Sequence, residues 1–261
     1  MKTIQFHTKL SKKSPNPLWQ TKHYELHPVK ITSIRKMNPA LAKTPAALIF
    51  DMDGTLLDTE PLYTIATQKV LDPFDAEFTM ALKKQCMGGD SRRSARITID
   101  HFDLPMSVDA FLSTREVFLR QLFEDTPEIE GAGQFITDLS ESGIPFGLAT
   151  SSHQHLCDLK LSRKPWGTFF QQVVCGDHPE LQRGKPDPDI FLLCAEKLRV
   201  NPHHCIAIED SPSGIRAARA AGMQVIAVNS PYVEPSELAD AALTIDAFNE
   251  LNPLLANWGT P

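Results

Sequence analysis

Two aspartates, Asp51 and Asp53, stand at the end of the apolar run Ala46-Ala-Leu-Ile-Phe50 and are followed by Gly54-Thr55. An unbroken apolar run of this length reads as a central parallel strand covered on both faces. Residues two apart on a strand share a face, so the two carboxylates converge on one spot where the extended geometry persists, as an active site requires. Gly54 lets the backbone turn tightly beside whatever they hold. A strand followed by an acidic turn is the bland alternative. Three further stretches repeat the pattern of an apolar run ending in polar groups. Ile144 to Ala149 ends in Thr150-Ser151-Ser152, whose hydroxyls and amides are placed to grip phosphate oxygens, or simply to cap a helix. Gln172 to Cys175 leads to Arg183-Gly-Lys185-Pro-Asp187-Pro-Asp189, in which Asp187 and Pro188 suit a helix start and Lys185 has no evident structural job. Cys205 to Ile208 ends in Glu209-Asp210, followed by Ser211-Pro212 and an alanine-rich helix closed by Gly222.

Strands alternating with helices predict an α/β fold, a Rossmann-like parallel sheet core, with further strands near 225–228 and 242–245. Over 61–125 the chain reads as helices broken by turns, Pro61 to Leu71, Ala76 to Cys86, Ser91 to Phe102 and Ser107 to Phe123, before a core helix around Gly133 to Ser142, closed by Gly143, leads into the second strand. The helix from Ser107 carries the apolar set Phe111, Val117, Phe118, Leu122 and Phe123. The expected organisation is a basic extension over 1–44, a core formed by 45–60 and 126–261, and an inserted helical cap over 61–125.

The chain of 261 residues is 42% hydrophobic and 22% charged, enough to bury a sizeable core in one or two domains. Residues 1–44 hold four prolines and nine Lys or Arg against one acid, net +8, so the remainder of a chain whose total is −6 carries −14. The acidic body argues against a nucleic-acid partner. The extension reads as flexible, with a mis-assigned start, a transit peptide or a docking tail as other readings. No apolar run is long enough to span a bilayer, and five scattered cysteines without C-x-x-C spacing point to neither disulfides nor zinc. A cytoplasmic protein without a membrane partner is expected.

The stretch Asp51-Met-Asp53-Gly-Thr55 resembles the first motif of the haloacid dehalogenase-like phosphohydrolases, and Thr150, Lys185 and Glu209-Asp210 match the second to fourth. Longer stretches, including Gly176 to Phe191 and Glu209 to Gly214, resemble the pseudouridine-5′-phosphatase branch of the beta-phosphoglucomutase-like group. The resemblance implies a helical cap and a small-molecule phosphate ester as substrate, best guessed as pseudouridine 5′-phosphate. It assigns Asp51 as nucleophile, Asp53 as proton shuttle, Thr150 as phosphate-binding hydroxyl and Lys185 as neutralising cation. Gly54 and Ser151 are expected at the phosphate. Four acids, Asp51, Asp53, Glu209 and Asp210, are the expected metal residues. Their charge beside a phosphate dianion requires a cation, and hard oxygen ligands suit Mg²⁺. Like charge nearby should keep Asp53 protonated as the acid. Arg92 and Arg93, beyond the Gly88-Gly89 turn, are candidate specificity residues of the cap. A sugar phosphomutase using the same aspartates and a sugar- or glycerol-phosphate phosphatase are the alternatives, and a monomer is the expected form.

Overall fold

A computed structural model of the protein describes residues 41–86 and 91–258. Six short strands form one parallel sheet: β1 (Ala47–Phe50), β2 (Phe146–Thr150), β3 (Gln172–Cys175), β4 (Cys205–Glu209), β5 (Gln224–Val228) and β6 (Leu243–Ile245). Their spatial order is β3-β2-β1-β4-β5-β6, every pair parallel. The chain builds outward from β1 on one side and then jumps back to β4 on the other, which makes the carboxyl ends around β1 a topological switch point, the usual place for a ligand crevice in such sheets. Register sharpens this. Phe50 lies opposite Leu148 of β2 and Ile208 of β4, so the three strands finish level with one another.

Alternation along β1 feeds two apolar layers. Leu48 and Phe50 face a cluster with Phe135, Ile136 and Leu139 of α5 (Ala132–Glu141) and Leu254 and Trp258 of α9 (Asn252–Trp258). Ala47 and Ile49 face Ile190, Phe191 and Cys194 of α7 (Asp189–Leu198) and Ile215 and Ala218 of α8 (Pro212–Ala220). Both sheet faces are covered, which explains the unbroken apolar runs. α6 (Gln154–Leu161) follows β2.

Four α-helices lie between β1 and α5: α1 (Glu60–Leu71), α2 (Met80–Cys86), α3 (Ser91–Phe102) and α4 (Val108–Leu122). Ser107 caps α4 by accepting a hydrogen bond from the Ala110 amide at 3.1 Å. α2 starts at Met80 rather than Ala76. The Gln68 side chain donates to the Ala76 carbonyl and accepts from the Phe78 amide, and so holds those residues out of the helix. Val117, expected in the apolar set, is 58% exposed, while Phe111, Leu119 and Phe123 carry the buried face. Leu119, Phe123 and Ala66 pack with Leu62, Tyr63 and, from α6, Leu156 and Leu159.

Residues 1–40 lie outside the described residues. The last four residues of the expected extension do not: Leu41 is fully buried in the core, its carbonyl accepts from Trp258 Nε1 at 2.9 Å, and Thr44 donates to the Trp258 carbonyl at 3.1 Å. The packed chain therefore reaches back to Leu41, because Trp258 supplies an apolar and hydrogen-bonding partner from the far end of the sequence. Asp187 pairs with Arg183 at 3.0 Å, and Pro188 takes the helix-start position expected of Asp187.

Candidate active site

The level ends of β1, β2 and β4 bring Asp51, Thr150 and Glu209 together, and Lys185 reaches in from the loop after β3. Its Nζ lies 2.5 Å from Asp51 Oδ1, 2.7 Å from Glu209 Oε1 and 3.0 Å from the Ala149 carbonyl. Burial alone would lower the lysine's pKa, but the two carboxylates hold it above its ordinary value. Glu209 is fully engaged. Its Oε2 accepts from the Asp210 and Ser211 amides, both at 2.9 Å, and from Ser211 Oγ at 3.0 Å. It thus sits on the N-terminal end of α8, where backbone donors favour an anion. A Cβ at Gly214 would overlap this carboxylate.

Asp210 is nearly bare by comparison. Among the described residues it accepts one side-chain hydrogen bond, from Thr55 Oγ1 at 3.1 Å, and burial followed by repulsion from Glu209 and Asp51 raises its pKa well above the carboxylate range. Burial likewise pushes Asp51 up to about 7, against the pull of Lys185. Asp51, Glu209 and Asp210 offer oxygens that all lie within 4.8 Å of one another. Two buried carboxylates with free lone pairs and raised pKa values fit a hard divalent cation that keeps some waters, as Mg²⁺ does. Glu209 contributes charge and geometry rather than a free oxygen.

Asp53 does not join that group. Both its oxygens are occupied: Ser152 Oγ donates to Oδ2 at 2.7 Å, and Lys160 Nζ approaches Oδ1 at 2.5 Å and Ser152 Oγ at 2.9 Å. Burial would raise the Asp53 pKa, but Lys160 outweighs it and holds the carboxyl below its ordinary value. The expectation that neighbouring acids keep Asp53 protonated is thereby corrected, because an ammonium lies closer than the competing charges. Two aspartates separated by one residue are driven in opposite directions, a pattern typical of groups with distinct roles in one reaction.

Other expected residues fare unevenly. Thr150 is fully buried, and its Oγ1 accepts from the Ser152 amide at 3.1 Å, leaving the hydroxyl proton to donate. Gly54 has φ +85°, and a Cβ there would collide with the Asp210 carboxylate, so glycine is demanded twice over. Its amide, expected at the phosphate, donates instead to the Leu57 carbonyl at 2.8 Å. Ser151 is exposed, and Ser152 takes the inward position beside it. Arg92 and Arg93 are exposed on α3, with Arg92 paired to Asp109 at 2.6 Å and Arg93 donating to the Gln85 carbonyl at 3.4 Å. Ser152 and Thr55 stand inside the motifs read from the sequence without a role of their own there, and Lys160 lies outside every one of them. Lys160 had a signal: it shares a helix face with Leu156 and Cys157, where an apolar residue would be the ordinary choice.

Residues 48–228 match the family model described as haloacid dehalogenase-like hydrolase. Among curated relatives, a Drosophila melanogaster protein named "Probable pseudouridine-5′-phosphatase" is 35% identical over 209 residues, covering 78% of this chain and 90% of that one. The (DL)-glycerol-3-phosphatase 2 of Arabidopsis thaliana is 36% identical over 220 residues, covering 82% and 91%. The crystal structure of CbbY from Rhodobacter sphaeroides in complex with phosphate superposes with a TM-score of 0.72 over 81% of this chain and 99% of that one, at 24% identity, a likeness of fold. Since the family model covers well over half of the sequence and spans all four motif positions gathered at these strand ends, the chain belongs to the haloacid dehalogenase-like hydrolases.

Proposed function

We propose that this chain is a Mg²⁺-dependent phosphatase of small phosphate monoesters that works through a phosphoryl-aspartate at Asp51. The observation that carries the reading is the contrast between the two aspartates. Asp51 lies beside Lys185 and the acid pair Glu209-Asp210, whereas Asp53 is held apart by Lys160 and Ser152. Family membership and relatives named as phosphatases support a phosphoric monoester hydrolase.

Asp51 attacks phosphorus, and Lys185 stabilises charge between the nucleophile and the phosphoryl oxygens. Thr150 donates its hydroxyl proton to one of those oxygens. Asp53, whose contacts favour the anion, must first take up a proton from solvent; it gives that proton to the departing alkoxide and, ionised again, takes one from the water that opens the phosphoryl-aspartate, splitting one very slow hydrolysis into two easier steps. Its contacts with Lys160 and Ser152 suit the ionised form needed in the second step. The cation would be held by Asp51 and Asp210, where it supplies positive charge to the transferring oxygens.

The preferred substrate is proposed to be pseudouridine 5′-phosphate, with glycerol 3-phosphate as the second reading because relatives of both names match equally well. Phosphate release from these two esters and fructose 1-phosphate, with Mg²⁺ and with excess chelator, tests the proposal. Full activity in chelator overturns the metal requirement. Negligible phosphate release combined with sugar-phosphate isomerisation activated by a sugar bisphosphate would instead identify a phosphomutase.

A further inference from the structure

Arg115 stands where the packing of α4 calls for an apolar side chain. Phe111, Arg115, Leu119 and Phe123 recur every fourth residue along one face of the helix and its final turn, and they are 0, 7, 3 and 0% exposed. The Arg115 Nε is buried without a hydrogen-bond acceptor, and no carboxylate among the described residues forms an ion pair with the guanidinium. Its close companions are the rings of Tyr63 and Phe111, whose centroids lie 5.8 and 5.9 Å from Cζ. Such contacts return only part of the hydration that a buried cation gives up. Arginine does not escape the cost by losing its proton.

The position of this cation gives it a use. The Tyr63 hydroxyl is 3.5 Å from Lys160 Nζ, and Lys160 holds Asp53, so Tyr63 and Lys160 in turn connect Arg115 to the acid/base group. Leu119 and Phe123 of the same face meet Leu156 and Leu159 of α6, which places the stripe where the cap meets the core. An ester whose phosphorus is at Asp51 must present its alcohol oxygen to Asp53, so the rest of the alcohol lies on the Asp53 side of the phosphorus, the side from which this chain of contacts leads to Arg115. We propose that Arg115 is a specificity-determining residue that recognises a polyhydroxylated alcohol by donating to its hydroxyl oxygens. The guanidinium's planar fork of five donors suits two neighbouring hydroxyls. A second anionic group on the substrate is disfavoured: four core acids are offset by only Lys160 and Lys185, and the phosphate dianion with Mg²⁺ leaves that excess negative charge unchanged.

This inference rests on the phosphatase reading, and one experiment separates the two. Wild type, Arg115→Met and Arg115→Lys are assayed on glycerol 3-phosphate, on phosphoglycolate, whose leaving group carries a carboxylate, and on p-nitrophenyl phosphate, whose leaving group has no hydroxyl. Melting temperature is measured alongside. Arg115→Met is expected to lower kcat/KM for glycerol 3-phosphate at least tenfold more than for p-nitrophenyl phosphate, mainly through KM, with partial recovery in Arg115→Lys. Its melting temperature should hold or rise, because methionine completes the apolar stripe. Equal losses on all three esters, or a lowered melting temperature without a substrate-dependent loss, overturn the assignment in favour of a structural arginine. A larger loss on phosphoglycolate than on glycerol 3-phosphate overturns the polyol. A wild type inert toward every ester overturns the phosphatase reading itself.

Discussion

In excess chelator the protein should melt at progressively lower temperature as pH rises from about 5 to about 7, and Mg²⁺ should reverse that trend. The folded Asp51 carboxyl keeps its proton up to about 7, chiefly because burial penalises the anion, whereas the unfolded group has the ordinary value of 3.8. Between those limits the folded state binds more protons, so each increment of pH favours the unfolded chain. Asp210, also raised, adds to the slope. Asp53, held below its ordinary value, titrates outside the window and adds nothing there. One fully shifted group costs ~1.4 kcal/mol per pH unit, and the Asp51 shift from 3.8 to about 7 sums to a ceiling of roughly 4 kcal/mol. For a domain of this size that ceiling corresponds to a change on the order of 10 °C. A cation that needs both carboxylates ionised binds the folded state more tightly at higher pH, so Mg²⁺ should raise the melting temperature more at about pH 8 than at about pH 6. Calorimetry in chelator and in saturating Mg²⁺ across this range, with Asp51→Asn as control, measures both slopes. A chelated melting temperature that is flat or rising over the window, or an Asp51→Asn protein with an undiminished slope, would refute the reasoning.

Asp51→Asn should abolish turnover, while Asp53→Asn should still accumulate phosphoenzyme from a good leaving group such as that of p-nitrophenyl phosphate. Mass spectrometry locating trapped phosphate elsewhere than Asp51 would sink both roles. Gly54→Ala should lose most Mg²⁺-dependent activity, since φ +85° strains alanine and its Cβ displaces the Asp210 carboxylate. Titration of Mg²⁺ against melting temperature should show the weakened binding directly. Leu41→Ala should cost about 2–5 kcal/mol by leaving a cavity in the main core, and denaturant unfolding would show it. A loss under ~1 kcal/mol would mean that this segment packs loosely.

The sheet was legible because Ala47 to Phe50, Phe146 to Ala149 and Cys205 to Ile208 are apolar without alternation, a pattern that double-faced burial imposes. The residues just past those runs were legible for the same reason: a carboxylate is costly inside a strand and natural at its end. What stayed hidden depends on contacts distant in sequence. Nothing in the order of residues pairs Lys160 with Asp53, 107 positions away. The start of α2 was misplaced because the Gln68 side chain, not local propensity, holds Ala76 and Phe78. Arg92 and Arg93 drew notice as charges beside glycines, whereas Arg115, set in an apolar stripe, was the more anomalous arginine and was passed over. An exposed arginine pays nothing to be charged, so charge by itself is a weak signal. Charge at a position that the helical repeat reserves for the interior is a strong one.

The helix α6 belongs to the core by sequence, yet it serves two masters. Lys160 fixes Asp53, the proposed acid/base carboxylate, and Leu156 and Leu159 of the same eight-residue helix pack against Tyr63, Leu119 and Phe123 from the inserted segment. Residues 61–125 are therefore not an interchangeable part. A chimaera that took this segment from a relative and left α6 behind would cut through a packed seam and disturb the helix that holds Asp53, the proposed proton-transfer group. The rate of the chemical step would then change although no residue near phosphorus had been replaced. Grafts that carry 154–161 together with the inserted helices keep the seam whole, and recombination among such enzymes should favour crossover points outside both stretches.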